Sequence, residues 1–260
     1  MKIGFIGFGN MAKAIAEGLS SQGHTLYAAA PSLSNGSNYH GIHTHSDNCS
    51  FIDKVDVILL AVKPKHMSTV WQEISDRISS QQLIITIAAG INTHWFEQDQ
   101  TNFSIVRAMP NIAVSVSQGV TGLFAGTHCT EQHKQWAQQI FSCSGISVWL
   151  ENESDLDICT ALSGSGPAYI FLFMDAMIQA AQKLGLNEQT AKTLTLHTFH
   201  GAFTLAQQCN TSLVELREQV TSPGGTTAAA LEIFEQRTIS DIIETAMKAA
   251  YERAQQLAKS

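Results

Sequence analysis

Residues 2–14 read "KIGFIGFGNMAKA", and this stretch decides the first half of the fold. Lys2 to Ile6 form a short, mostly apolar run, the pattern of a buried strand. Gly7, Gly9 and Ala12 follow at the G-x-G-x-x-A spacing, and "MAKAIAEGLSSQG" carries helical periodicity. The first glycine permits a tight turn, and the second lets backbone approach a pyrophosphate. The alanine lets the helix pack close on the strand. The helix N-terminus then faces the phosphates. A glycine triplet alone would equally suit a plain strand–helix turn. The strand before it and the helix after it point to a dinucleotide site.

Working outward, strand and helix alternate. "TLYAAA" (25–30), "VDVILLAV" (55–62), "LIITIAA" (83–89), "FSIVRAM" (103–109) and "ISVWL" (146–150) read as strands, with helical patterns at 67–79 and 130–142. Near-continuous apolar strands alternating with helices predict a parallel sheet covered on both faces. Residues 1–151 are therefore expected to form a Rossmann-like dinucleotide-binding domain. In such a sheet, ligands lie beyond the carboxyl ends of the strands. "AVKP" (61–64) and "RAMPN" (107–111) stand at two such ends. Pro64 and Pro110 fix backbone and remove donors there, leaving an apolar wall suited to a nicotinamide ring. Lys63 also fits a merely solvated strand end.

The end of the second strand bears on the cofactor. An NAD site usually presents an acid about 20 residues past the glycines, for the ribose 2′-hydroxyl. Here the chain reads "AAAPSLSNGS", and the first acid after it is Asp47. Ser32, Ser34 and Asn35 offer donors to a 2′-phosphate, although no arginine is nearby. The expected cofactor is NADPH, with NADH as the alternative.

From residue 152 the strand signal stops, and 152–260 is expected to be a helical dimerisation and substrate-binding domain. "ESDLDICTALSGSGPAYIFLFMDAMIQAAQKLGL" reads as helix, glycine-rich break, then helix, and 188–209, 226–236 and 239–258 are further helices. Segment 167–186 is apolar nearly all round, with Phe171, Phe173, Met174 and Met177 among its residues, and such a helix requires burial on every face. A helical half this small cannot bury it alone, so a second subunit is the expected cover. Asp175 interrupts the run and argues against a membrane helix. Within this half, "TSPGGTT" (221–227) shapes a turn whose backbone N–H groups converge at a helix start, with hydroxyls from Thr226 and Thr227. It suits a carboxylate and equally suits a capped turn without a ligand.

Composition narrows the classes. With 44% apolar and 14% charged residues, the 260-residue chain is globular and large enough for two domains. A net charge of −7 with few basic clusters speaks against nucleic acid. The strand at Lys2 leaves no room for a leader. Five scattered cysteines without a C-x-x-C fit reduced thiols, so a cytoplasmic protein is expected. Histidines gather in "HGIHTH" (40–45) and "LHTFH" (196–200), but neither has zinc-ligand spacing, and no metal is expected.

Six motifs, "IGFIGFGNMAKAI", "AVKP", "TIAAGI", "RAMPN", "ALSGSGPAY" and "SPGGTT", resemble those of pyrroline-5-carboxylate reductases in order and approximate spacing, over nearly the whole chain. The first is shared with many reductases; the last two are much more specific. The resemblance implies that Gly7, Gly9, Asn10 and Met11 lie along the cofactor pyrophosphate, with Ser32 near the adenosine phosphate and Asn48 near its ribose. It places Ala61, Val62, Lys63, Pro64, Met109, Pro110 and Asn111 on the nicotinamide side. Ser222, Gly224, Gly225, Thr226 and Thr227 would hold the substrate carboxylate, with Thr227 beside the ring nitrogen. Thr227 and Lys63 are the candidates for a part in the chemistry. The implied activity is reduction of 1-pyrroline-5-carboxylate to L-proline. The implied assembly is an interlocked homodimer, or an oligomer of dimers, in which the two loops of one site come from different subunits. Ile112-Ala113 replaces the family's usual Thr-Pro, and Asn210 stands near its usual acid. A reductase of another small imine or hydroxy acid and a non-catalytic dinucleotide sensor remain as rival readings.

Overall fold

A computed structural model describes residues 1–38, 40–97 and 102–258. The first half runs β1 (Lys2–Ile6), α1 (Asn10–Leu19), β2 (Thr25–Ala29), β3 (Gly36–Ser37), β4 (His43–His45), β5 (Val57–Leu60), α2 (Met67–Ile74), β6 (Leu83–Thr86), α3 (Thr93–Glu97), β7 (Ser104–Pro110), β8 (Gly119–Ala125), α4 (Glu131–Ser142) and β9 (Gly145–Trp149). The strands form one sheet in the order β3-β4-β2-β1-β5-β6-β7-β8-β9. The chain moves outward from β1 to β2 and then returns to the other side of β1 with β5. The carboxyl ends of β1 and β5 therefore flank the crevice where such sheets bind ligands.

Alternate residues of the central strands face opposite layers, and both layers are apolar. Ile3, Phe5, Leu59 and Ile85 enter a core with Ile15 and Leu19 of α1 and Phe141 of α4. Ile6, Ile58, Leu60 and Ile84 enter a second core with Trp71 of α2 and Phe96 of α3. This two-sided burial is why these strands read as unbroken apolar runs.

The sheet is not wholly parallel. β8 pairs antiparallel with β7, and β3 pairs antiparallel with β4. β8, "GVTGLFA", was not expected: its glycines and threonine dilute the apolar run. It turns back after a 3-10 turn at Ile112–Val116, closed by Ser117 in the left-handed region (φ 55°).

The remaining helices are α5 (Asp155–Cys159), α6 (Gly166–Lys183), α7 (Glu188–Gln208), α8 (Leu213–Gln219), α9 (Thr226–Gln236) and α10 (Ile239–Ala258). The expected glycine-rich break is absent. Thr160–Gly164 forms a π-helical turn between α5 and α6, so that Asp155–Lys183 is one helical run of 29 residues. By length and composition alone this run, which contains an 18-residue window of mean hydropathy 1.3, is long enough to cross a membrane.

The chain divides into two compact units, Met1–Pro167 with Ala249–Ser260, and Ala168–Lys248. The first unit thus extends past the expected boundary at residue 151, because α5 packs on β8 through Leu156 and through Cys159 over Gly122. In the second unit Phe173 meets Phe199 and Phe234, gathering α6, α7 and α9 at one point. Yet α6 has no buried residue, and Phe171 and Leu172 are 61% and 70% exposed.

Candidate active site

The turn from β1 to α1 is built to leave backbone donors open. Gly7 has φ +83°, and its N–H donates to the Ala29 carbonyl at 2.8 Å. A side chain there would stand 2.8 Å from Val62 Cγ1 and 2.9 Å from the Ala61 carbonyl, so only glycine fits between β1 and β5. A Cβ at Gly9 would meet nothing within 4 Å. Gly9 is the N-cap of α1 without a side-chain cap, and the first turn holds no acid. Ala12, only 1% exposed, lets α1 settle onto the sheet. Open amides and an uncompensated helix dipole make a cradle for phosphate, which is what a dinucleotide requires.

Beside this turn lies a cavity of about 250 Å³, lined by Met11, Ala61, Val62, Lys63, Pro64, Ile87, Ala88, Ala89, Met109 and Pro110. It joins the start of α1 to the carboxyl ends of β5, β6 and β7. Seven of these residues are sequence-level candidates. The other three, Ile87 to Ala89, belong to the quoted "TIAAGI" and could have been found as a third strand end in the same sheet. Among the described lining residues Lys63 alone is charged, and it is exposed.

Asn111, expected on the same wall, is turned into the fold. Its Oδ1 accepts from the N–H groups of Ala113 (3.2 Å) and Val120 (3.3 Å), and its Nδ2 donates to the Ser163 carbonyl at 3.1 Å. On the adenosine side, Ser32 is exposed in the turn after β2. Asn48 donates to Glu73 Oε2 at 2.8 Å, and Asn35 accepts from the N–H of Ser46 at 2.9 Å, which ties down the loop.

Behind the cavity, Glu153 accepts from the Thr93 N–H (2.7 Å), the Thr93 hydroxyl (2.8 Å) and Arg107 Nη1 (2.9 Å). This fixes the start of α3, and with it the 87–91 loop, to β7. Thiolate chemistry is disfavoured at three of the five cysteines. Burial pushes the Cys129 thiol up to about 11 and raises Cys143 and Cys159 as well.

The second glycine loop belongs to the second unit. Gly224 has φ +71°, and Gly225 is the N-cap of α9, extended (φ −81°, ψ 174°), with no side-chain cap and no acid in the first turn. Other helices of this chain are closed: Thr130, Asn187 and Ser212 cap α4, α7 and α8, each with an acid in the first turn. Among the described residues no partner holds the hydroxyls of Thr226 or Thr227. Ser222, Gly224 and Thr226 are exposed and Thr227 is half-buried.

A phosphate cradle at the switch point of a doubly wound sheet, next to an apolar cavity at the strand ends, defines a nicotinamide-dinucleotide oxidoreductase. A pyrroline-5-carboxylate reductase of Pseudomonas aeruginosa is 38% identical over 99% of this chain and 97% of its own length. The chain belongs to the pyrroline-5-carboxylate reductase family. Among solved structures, the pyrroline-5-carboxylate reductase of Coxiella burnetii matches at 39% identity and a TM-score of 0.91, covering 99% of this chain and 98% of that one. The Plasmodium falciparum pyrroline carboxylate reductase with NADP bound matches at 30% identity and a TM-score of 0.89, with the same coverages. The family described as pyrroline-5-carboxylate reductase dimerisation matches residues 153–257, which contain the 155–183 helical run. Residues 2–90 match the coenzyme F420-dependent NADP oxidoreductase family.

Proposed function

We propose that this chain reduces 1-pyrroline-5-carboxylate to L-proline, with NADPH as the hydride donor, as a cytoplasmic homodimer. The observation that carries the proposal is the pair of open, glycine-led helix starts at Gly9 and Gly225 in a chain of this family. One suits a pyrophosphate and the other a carboxylate. When bound, NADPH would supply a hydride, and the protonated CH=N bond of the substrate would become the CH2–NH of proline.

The chain's own residues bind and orient. Gly7, Gly9, Asn10 and Met11 cradle the phosphates, and Ser32 and Asn48 take the adenosine end. No acid at the end of β2 repels a 2′-phosphate. Met11, Ala61, Val62, Pro64, Met109 and Pro110 give the nicotinamide ring an apolar, water-poor wall. Lys63 adds a positive charge at the rim for an anionic cofactor and substrate. Ser222, Gly224, Gly225 and Thr226 hold the carboxylate. Thr227 orients the ring nitrogen and is too weak an acid to protonate it. The resemblance has the two loops of one site on different subunits, and the exposed apolar face of α6 supports a second copy as its cover. Reduced thiols fit the cytoplasm; all five cysteines are free.

The test is NADPH oxidation by the purified protein with and without 1-pyrroline-5-carboxylate. Oxidation that requires this substrate, with proline as product, is the expected result. Binding of NADPH without turnover would make the chain a dinucleotide sensor. Faster turnover of another imine or of an oxo acid would reassign the substrate.

A further inference from the structure

We infer that Asn111 is a positioning residue for the reduction, holding the π-helical turn Thr160–Gly164 against the wall of the nicotinamide cavity. The inference rests on the function proposed above. Arg107, Met109 and Asn111 alternate along β7 and its end, and so share one face of the sheet. All three meet the segment 153–164: Arg107 bonds Glu153, Asn111 bonds the Ser163 carbonyl, and a Cβ on Gly164 would stand 3.2 Å from Met109 Cε. Met109 and Pro110, immediately before Asn111, line the cavity.

The Ser163 carbonyl needs this partner. Its α-helical donor would be the amide of residue 167, and residue 167 is proline, which has none. Three more polar groups in and next to the turn are held by local backbone carbonyls: Ser165 N–H donates to Thr160 O at 2.9 Å, Ser163 Oγ to Cys159 O at 2.9 Å and Thr160 Oγ1 to Leu156 O at 2.8 Å. Asn111 is 8% exposed and has both ends of its amide engaged, so its side chain acts on the cavity through the turn and through Met109. π-helical turns of this kind recur at functional sites.

Asn111→Asp separates positioning from general structure. The aspartate still accepts from Ala113 and Val120, but when ionised it sets an oxygen against the Ser163 carbonyl. When protonated it donates to that carbonyl as asparagine does. At about pH 8, where a carboxyl is ionised, kcat should fall about ten- to hundredfold relative to wild type, with NADPH Kd unchanged. The variant-to-wild-type ratio should rise as pH falls and the introduced carboxyl takes up its proton. Arg107, Glu153, Asp155, Asp157 and Cys159 on the packed elements, with Lys13 and Glu17 of α1, are common to both proteins and drop out of the ratio except where they couple to the introduced carboxyl. Amide hydrogen exchange at residues 160–165, read without substrate, should be faster than wild type in Asn111→Asp at about pH 8 and in Asn111→Ala at any pH. This second measurement stands even if the wild-type protein proves to reduce another substrate. Wild-type kcat and wild-type exchange in Asn111→Ala overturn the inference, as does a ratio that stays flat with pH. If neither variant folds, Gly164→Ala takes their place, because its added methyl presses on Met109 Cε while alanine favours helix. A lowered kcat with unchanged NADPH Kd then supports the inference, and wild-type kcat overturns it.

Discussion

The two glycine loops share a backbone design and differ in what stands behind them. Each has a left-handed glycine, Gly7 or Gly224, followed by an extended glycine N-cap, Gly9 or Gly225, and an uncapped helix start. Gly7 is wedged against Val62 and Ala61 in a sheet whose central residues are fully buried. A Cβ at Gly224 would meet nothing within 4 Å, and the neighbouring helix α6 buries none of its residues. The first loop is therefore rigid because of its own chain. In the proposed dimer the second would draw comparable support from a second copy. On the proposed reading, similar local sequence thus gives two anion sites with different sources of preorganisation.

The largest effect should come from attacking that external support. Phe171→Asp places a charge on the apolar face of α6, and burying it unpaired in the proposed dimer is costly. Insoluble or monomeric, inactive protein is expected. Fully active protein with a light-scattering mass of 28.2 kDa, that of one chain, would remove the need for a second copy.

Next in size is Gly7→Ala, which meets both a left-handed backbone and a clash, together about 2–4 kcal/mol of destabilisation. NADPH binding should be lost with it. Gly224→Ala faces only the backbone penalty of ~1–2 kcal/mol. Equal falls in Tm for the two variants would break the contrast between the loops.

Gly225→Val probes the second loop at its N-cap, where a Cβ would lie 3.1 Å from the Ser222 carbonyl. The substrate KM should rise about ten- to hundredfold, the ~1.5–3 kcal/mol of one charge-assisted hydrogen bond, with NADPH affinity intact. A matching loss of NADPH affinity would mean that both loops serve one ligand. The smallest effect belongs to Thr227→Ala. Loss of one oriented neutral hydrogen bond lowers kcat/KM about two- to thirteenfold. A loss of several thousandfold would give Thr227 a direct part in proton transfer.

How much was legible in the sequence follows from where the determining forces act. β1, β5 and β6 are readable because both faces of each strand are buried, so apolar residues run on without a break. The first glycine loop is readable because its strand and helix neighbours are local. β8 is hidden because glycines and a threonine interrupt its apolar residues, although Leu123 is fully buried and the strand pairs on both sides. α8 is only 7 residues long, yet Ser212 and Glu215 form a capping box that could have revealed it. "SGSGP" misleads because glycine and proline are helix breakers by local propensity. An asparagine some fifty residues earlier repairs the carbonyl that the proline leaves without a donor. The role of Asn111 is similarly invisible in "RAMPN", where nothing shows which residues face the cavity and which face the turn.

The bare face of α6 has a consequence for handling the enzyme. If a second copy covers that face as proposed, folding of the second half is coupled to a bimolecular step, and its free energy contains the logarithm of protein concentration. Dilution would then act as a denaturant for this half while leaving the nucleotide-binding half intact. Specific activity per milligram should decline on standing at low concentration, and NADPH affinity should outlast turnover. A dilute stock would then hold monomers that still sequester cofactor without consuming it.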